Sequence, residues 1–161
     1  LSSGALDGTE WVGPWSDEKL GLQEVCQFFY PAGFHEPGSA LSVNTNLEVF
    51  DSLSPAEQRI LDVAAAECHQ FDYALFIANN GPALGRLISG GTQIKEFSDD
   101  VWDAYGAASK EVLDQYMDDE IFAETRAAYE TAMGEISGWT GRSDSVYTAH
   151  RNRVLGLLYP A

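Results

Sequence analysis

From Ser54 onward the chain repeats apolar positions at helical intervals. Ile60, Ala64, Cys68, Phe71 and Leu75 follow at spacings of four, four, three and four, which marks one face of a long helix. Ser54-Pro55-Ala56-Glu57 predicts its start. Ser54 can accept from a free amide, Pro55 suits the first helical position, and Glu57 completes a capping box. Pro82 predicts a kink or interruption before the helix resumes to Ile88, and Gly90-Gly91 predicts the stop. Further on, Ser98-Asp99-Asp100 caps a helix striped with Trp102, Tyr105, Val112 and Tyr116. Phe122, Thr125, Tyr129, Ala132 and Ile136 mark a third long helix, and Ser143 to Leu158 a last one with Tyr147, His150, Val154 and Leu158 on one side.

Upstream the pattern is more broken. Asp17 to Phe29 reads as a helix with Leu20, Val25, Phe28 and Phe29 on its buried side, ended by Pro31. Pro31 to Gly38 carries two prolines and two glycines and predicts a loop. Ala40 to Asn44 alternates apolar and polar residues as a short strand does, Leu47 to Leu53 reads as a helical turn, and Thr92 to Phe97 as a second strand. No internal repeat is present. Long helices joined by a few short strands predict an α/β lobe rich in helix, over one domain spanning residues 1–161.

Composition narrows the function. Acidic residues outnumber basic ones 25 to 9, for a formal net charge of -16, and a phosphate backbone would be repelled by most of such a surface. Nucleic acid is therefore not an expected partner. The longest uncharged run, Tyr73 to Gly85, is too short and too interrupted to span a bilayer. Cys26 and Cys68 lie 42 apart in no metal-like spacing. They could pair in an oxidising compartment, but nothing local brings them together, which favours unpaired core positions. The chain opens Leu-Ser-Ser-Gly-Ala-Leu-Asp-Gly, without a methionine, which reads as the middle of an element and as a sequence processed or truncated at its front.

Two segments depart from helix and strand patterning. Asp7-Gly8-Thr9-Glu10-Trp11-Val12-Gly13-Pro14-Trp15 and Tyr30-Pro31-Ala32-Gly33-Phe34-His35-Glu36-Pro37-Gly38 each set a carboxylate beside a large aromatic in a stretch stiffened by glycine and proline. Aromatic walls with a few fixed polar groups suit a small-ligand pocket, and two loop carboxylates with backbone carbonyls suit a hard cation. On spacing alone, Trp11, Trp15 and Phe34 as core residues and Glu10 and Glu36 as solvated loop acids are the favoured reading. No nucleophile-elbow motif and no phosphate-cradling glycine loop appears.

Glu-Trp-Val-Gly-Pro-Trp, followed by the glutamate of Phe-His-Glu-Pro-Gly 26 residues after Glu10, resembles the solute-binding proteins of TRAP (tripartite ATP-independent periplasmic) transporters. The resemblance is to the branch that binds α-keto acids, lactate and related carboxylates. It extends through Leu-Ser-Val-Asn, the capped helix at Ser54 and Gln-Ile-Lys-Glu-Phe, and fades near Gly138. It implies a two-lobed periplasmic-binding-protein-like fold, of which this chain is the C-terminal part, with long C-terminal helices and a signal peptide in the full-length precursor. It also implies a sodium or calcium ion that bridges ligand and protein, held by the Glu10 and Glu36 carboxylates and the Trp11 carbonyl. Trp11, Trp15, Phe34 and His35 would contact the ligand. A metal-binding glutamine and a ligand-pairing arginine would precede Leu1.

The implied function is a periplasmic receptor that captures a small organic carboxylate and passes it to the TRAP membrane permease. His35 fits a pocket-wall or structural role, since an oxygen-rich site for a hard cation rarely uses imidazole. The alternative is a metal-assisted enzyme with Glu10 or Glu36 as base, which needs an open metal position and a tuned base. The aromatic stripe between Ser98 and Trp139 also needs cover. Packing on the other lobe is the favoured cover, and the resemblance also allows a homodimer through the C-terminal helices.

Overall fold

The computed structural model describes residues 1–39 and 41–157. The chain divides into two compact units, Leu1–Glu96 and Phe97–Ala161.

The first unit is organised by helix α3, Pro55–Ser89. Ser54 caps it as its sequence predicts, with the Ser54 side chain accepting from Glu57 N while the Glu57 carboxylate accepts from Ser54 N at 2.8 Å. The helix is continuous through Pro82, so of the predicted kink or interruption the interruption does not occur. Gly91 (φ +102°) ends it, in a conformation L side chains rarely adopt, and Thr92 N closes the end by donating to Leu87 O at 3.0 Å. The buried hydrophobic residues among those described are Ala83 and Leu87, in the final third of α3. The predicted Ile60–Phe71 face is instead exposed in this chain, and so is Cys68; both cysteines are free, with Cys26 half-buried.

The Asp17–Phe29 helix is replaced by three short elements: helix α1, Pro14–Lys19, a 3-10 turn at Leu22–Glu24, and strand β1, Phe28–Phe29. Pro14 starts the helix early, and Gly21, in a left-handed conformation at φ 71°, separates the first two elements. Two adjacent phenylalanines then extend rather than coil, and β1 pairs in parallel with β2, Gln93–Ile94, in the register Phe28↔Gln93 and Phe29↔Ile94. β2 is thus a shorter version of the Thr92–Phe97 strand. Helix α2, Leu47–Ser52, forms with Asn46 accepting from Val49 N at 3.1 Å. Residues 41–44 form no strand, and Ala40, where that strand was expected to begin, lies outside the described residues.

In the second unit, α4 (Asp99–Asp114), α5 (Glu120–Thr140) and α6 (Asp144–Leu155) follow the predicted helices closely, with Leu158 outside the described residues. Asp119 caps α5 by accepting from Phe122 N at 2.9 Å. Arg126 joins α4 to α5, donating to Asp114 and to Glu130 at 2.8 Å each, and Tyr116 stacks near Phe122 with ring centroids 5.6 Å apart. No residue described in this unit is buried.

Candidate functional site

The loop that ends in α1 is tied down from two directions. Gly13 sits at φ 154°, ψ 175°, a region open essentially to glycine, and turns the chain from Trp11-Val12 into the helix. Asp17 is 8% exposed, and its Oδ1 accepts from Gly13 N at 3.0 Å and Val12 N at 3.3 Å. Its own N–H returns to Gly13 O at 2.9 Å. Gly13 cannot cap α1 with a side chain, so a distant residue does so. Asn80 on α3 accepts from Trp15 N at 3.2 Å through Oδ1. Trp15 itself is half-buried, edge-on to Phe76 of α3 with centroids 5.4 Å apart and with Lys19 Nζ 3.6 Å above its ring. Burial pushes the Asp17 carboxyl above its ordinary range; the two amide donors oppose that shift and the neighbouring Glu10 charge adds to it.

The second loop leaves β1. His35 Nε2 lies 3.6 Å from Glu10 Oε1, so the two motif loops meet side chain to side chain across 25 residues of sequence. Glu36 Oε1 accepts from Ser39 Oγ at 2.7 Å, which holds the carboxylate on the same loop. Phe34 is half-buried, whereas Trp11, Glu10, His35 and Glu36 are exposed. Trp15 thus packs on Phe76 while keeping part of its ring accessible, and Trp11 is exposed.

Two carboxylates and a peptide carbonyl form an all-oxygen donor set, the kind a hard cation takes. Among the described residues no group of three or more His, Cys, Asp or Glu side chains converges as a metal site.

A cavity of about 430 Å³ lies elsewhere, lined by Glu18, Gln23, Cys26, Arg86, Gly90 and Thr92 among others. None of the six candidate residues lines it. Arg86 is bidentate to Glu18 there, at 2.7 and 2.6 Å, so its fork is already filled. The Glu18 partner raises the Arg86 pKa, and Arg86 in turn lowers that of Glu18. Sequence reading missed Asp17 and Asn80. The one sequence signal for Asp17 is an acid in the first turn after Gly-Pro; Asn80 carries none, because its partner is 65 residues away.

These loops on an α3 scaffold belong to a class of binding protein. Residues 1–120 match bacterial extracellular solute-binding protein family 7, and the chain belongs to that family. The family is named for solute binding rather than for catalysis. The chain is 33% identical, over 148 residues, to a monocarboxylate 2-oxoacid-binding periplasmic protein of Nostoc sp. (strain PCC 7120), covering 91% of this chain and 41% of that protein. It also superposes, at a TM-score of 0.90 and 26% identity, on a TRAP transporter solute binding protein from Bordetella bronchiseptica RB50. That structure is a mixed-occupancy dimer, with copurified calcium and picolinate in one active site and the other apo, and the match covers 97% of this chain and 47% of that one. The chain thus spans less than half the length of either relative. No helix among the described residues is long and apolar enough to cross a membrane.

Proposed function

We propose that this chain is the C-terminal portion of a periplasmic receptor that captures a small 2-oxo- or hydroxy-carboxylate and delivers it to a TRAP membrane permease. The observation that carries the proposal is the meeting of the Glu10 and His35 side chains, which brings the two motif loops together. The names of the two relatives support the ligand class and the compartment, and the calcium of the Bordetella protein supports a cation.

Glu10 and Glu36 would hold a calcium or sodium ion with their carboxylates, and Trp11 would add its carbonyl. The cation would offset the charge of the two acids and of an acidic ligand, which otherwise repel one another. Trp11, exposed on its loop, would close over the ligand, Phe34 and His35 would form the opposing wall, and Trp15 would anchor the first loop to α3 from behind. Residues outside this chain would complete the shell and pair with the ligand carboxylate.

Calorimetry on the complete receptor with pyruvate, with and without chelator, tests this reading. Glu36→Gln removes one ligand charge and is expected to weaken cation-dependent binding roughly tenfold or more. Unchanged affinity in Glu36→Gln, or chelator-insensitive binding by the wild type, would sink it.

A further inference from the structure

We propose that Asp17, together with Asn80, is a positioning residue for the cation site, holding the Glu10–Trp11 loop so that its oxygen donors face the ion. The inference rests on the cation reading above and goes beyond it, because neither residue is a ligand in that reading. The geometry is that of a clamp with two jaws. On one side, a single Asp17 oxygen takes both Val12 N and Gly13 N, the two amides immediately after the Trp11 carbonyl. The peptide between Trp11 and Val12 contains both that carbonyl and the Val12 N–H. Fixing the N–H in a planar, trans unit fixes the direction of the carbonyl, which must point the opposite way. Bonded to the back of this peptide, the Asp17 carboxylate therefore turns the Trp11 carbonyl oxygen away from itself.

On the other side, Asn80 takes Trp15 N and lies against Gly13, its Oδ1 3.5 Å from where a Cβ on Gly13 would be. The loop is thus referenced to α3, the most extensive rigid element of the unit, rather than to its own short helix. Asn80 lies two residues before Pro82, and Asn79 next to it donates from Nδ2 to Leu75 O at 2.7 Å, so the two asparagines point to different tasks on one turn. Burial gives the Asp17 bonds their weight. A carboxylate 8% exposed has little water to turn to, so its donors are the loop amides. Removing the side chain leaves Val12 N and Gly13 N without their acceptor and releases the peptide that carries the Trp11 carbonyl.

The test uses the complete receptor with calcium alone, then pyruvate at saturating calcium, read by calorimetry alongside amide hydrogen exchange over residues 10–17. Asp17→Ala is expected to weaken calcium binding roughly 10–100-fold, the range usual for outer partners of metal ligands, and to speed exchange at Val12 and Gly13. Asp17→Asn keeps an oxygen for both amides and is expected to restore protection and most of the affinity. Asn80→Ala should weaken binding less and leave Val12 and Gly13 protected. Wild-type calcium affinity in Asp17→Ala overturns the proposal, as does an Asp17→Asn variant as weak as Asp17→Ala. If Asp17→Ala does not fold, the Asn variant and Asn80→Ala carry the same decision, and unprotected Val12 and Gly13 amides in the wild type overturn it outright. A wild type that binds no cation removes the site reading instead, and is distinguished by exchange protection that still depends on Asp17.

Discussion

At the residue scale, the contrast between Glu10 and Asp17 shows how burial assigns roles to like side chains. Both are acids flanking one glycine turn, yet Glu10 stays in solvent beside His35 while Asp17 is buried against amides. The exposed acid is free to meet a ligand, and the buried one is committed to the backbone. Residues 110–126 offer a residue-scale test of electrostatics. Asp114 accepts from Lys110 and Arg126, and those two bonds hold its carboxyl below the ordinary 3.8. An acid whose folded pKa is lowered adds stability above the unfolded value and loses it as pH falls through the folded one. The stability gap between wild type and Asp114→Asn, followed by urea unfolding, is therefore expected to be open at neutral pH. It should close as pH drops below the ordinary carboxylate range. A gap that widened on acidification would contradict the assignment.

At the element scale, α3 combines a strong start, an internal proline and a glycine stop. Propensity alone would split it at Pro82, but a single missing N–H is tolerated where α1 packs on the turns around that proline. The stretch from Phe76 to Leu87 supplies the ring facing Trp15, the Asn80 cap, the buried pair Ala83 and Leu87, and the Arg86 fork to Glu18. Ala83 is fully buried there, so Ala83→Leu must displace its neighbours and is expected to cost about 1–3 kcal/mol, measured as a lower unfolding midpoint. Ser54→Ala at the other end removes the capping hydroxyl and should cost about 1 kcal/mol. Thermal unfolding that left Ser54→Ala level with wild type would show that this end of the helix frays regardless of its cap.

At the scale of the whole molecule, the chain exposes 12954 Å². Tyr129, Ile136, Trp139 and Tyr147 stand well exposed on α5 and α6. Surfaces of this kind are normally covered. The expected cover is the receptor's own remaining polypeptide, so that in the complete protein Tyr129→Glu lowers the melting temperature and leaves the light-scattering mass unchanged. A mass that falls by half in Tyr129→Glu would make a second copy the cover instead, in keeping with the dimer of the Bordetella protein.

What the sequence by itself determined was local. The Ser54 cap, the Gly90-Gly91 stop and the α4, α5 and α6 helices depend on neighbours within a few residues, and their chemistry is written in consecutive letters. The two motif loops were legible for a similar reason, since a rigid Gly-Pro stretch bearing an acid and an aromatic is unusual wherever it falls. The order Phe28-Phe29 misled, because two phenylalanines suit a helix face or a strand equally, and only pairing with Gln93–Ile94 chooses between them. The Ile60–Phe71 stripe marked a long helix, which forms, but periodicity does not say what covers such a face. Tertiary structure alone decided that Asn80 caps a helix 65 residues away, that Asp17 turns inward while Glu10 turns out, and that His35 meets Glu10. Each of those depends on where α3 runs relative to α1 and the loops, a relation set by packing and absent from any local stretch of sequence.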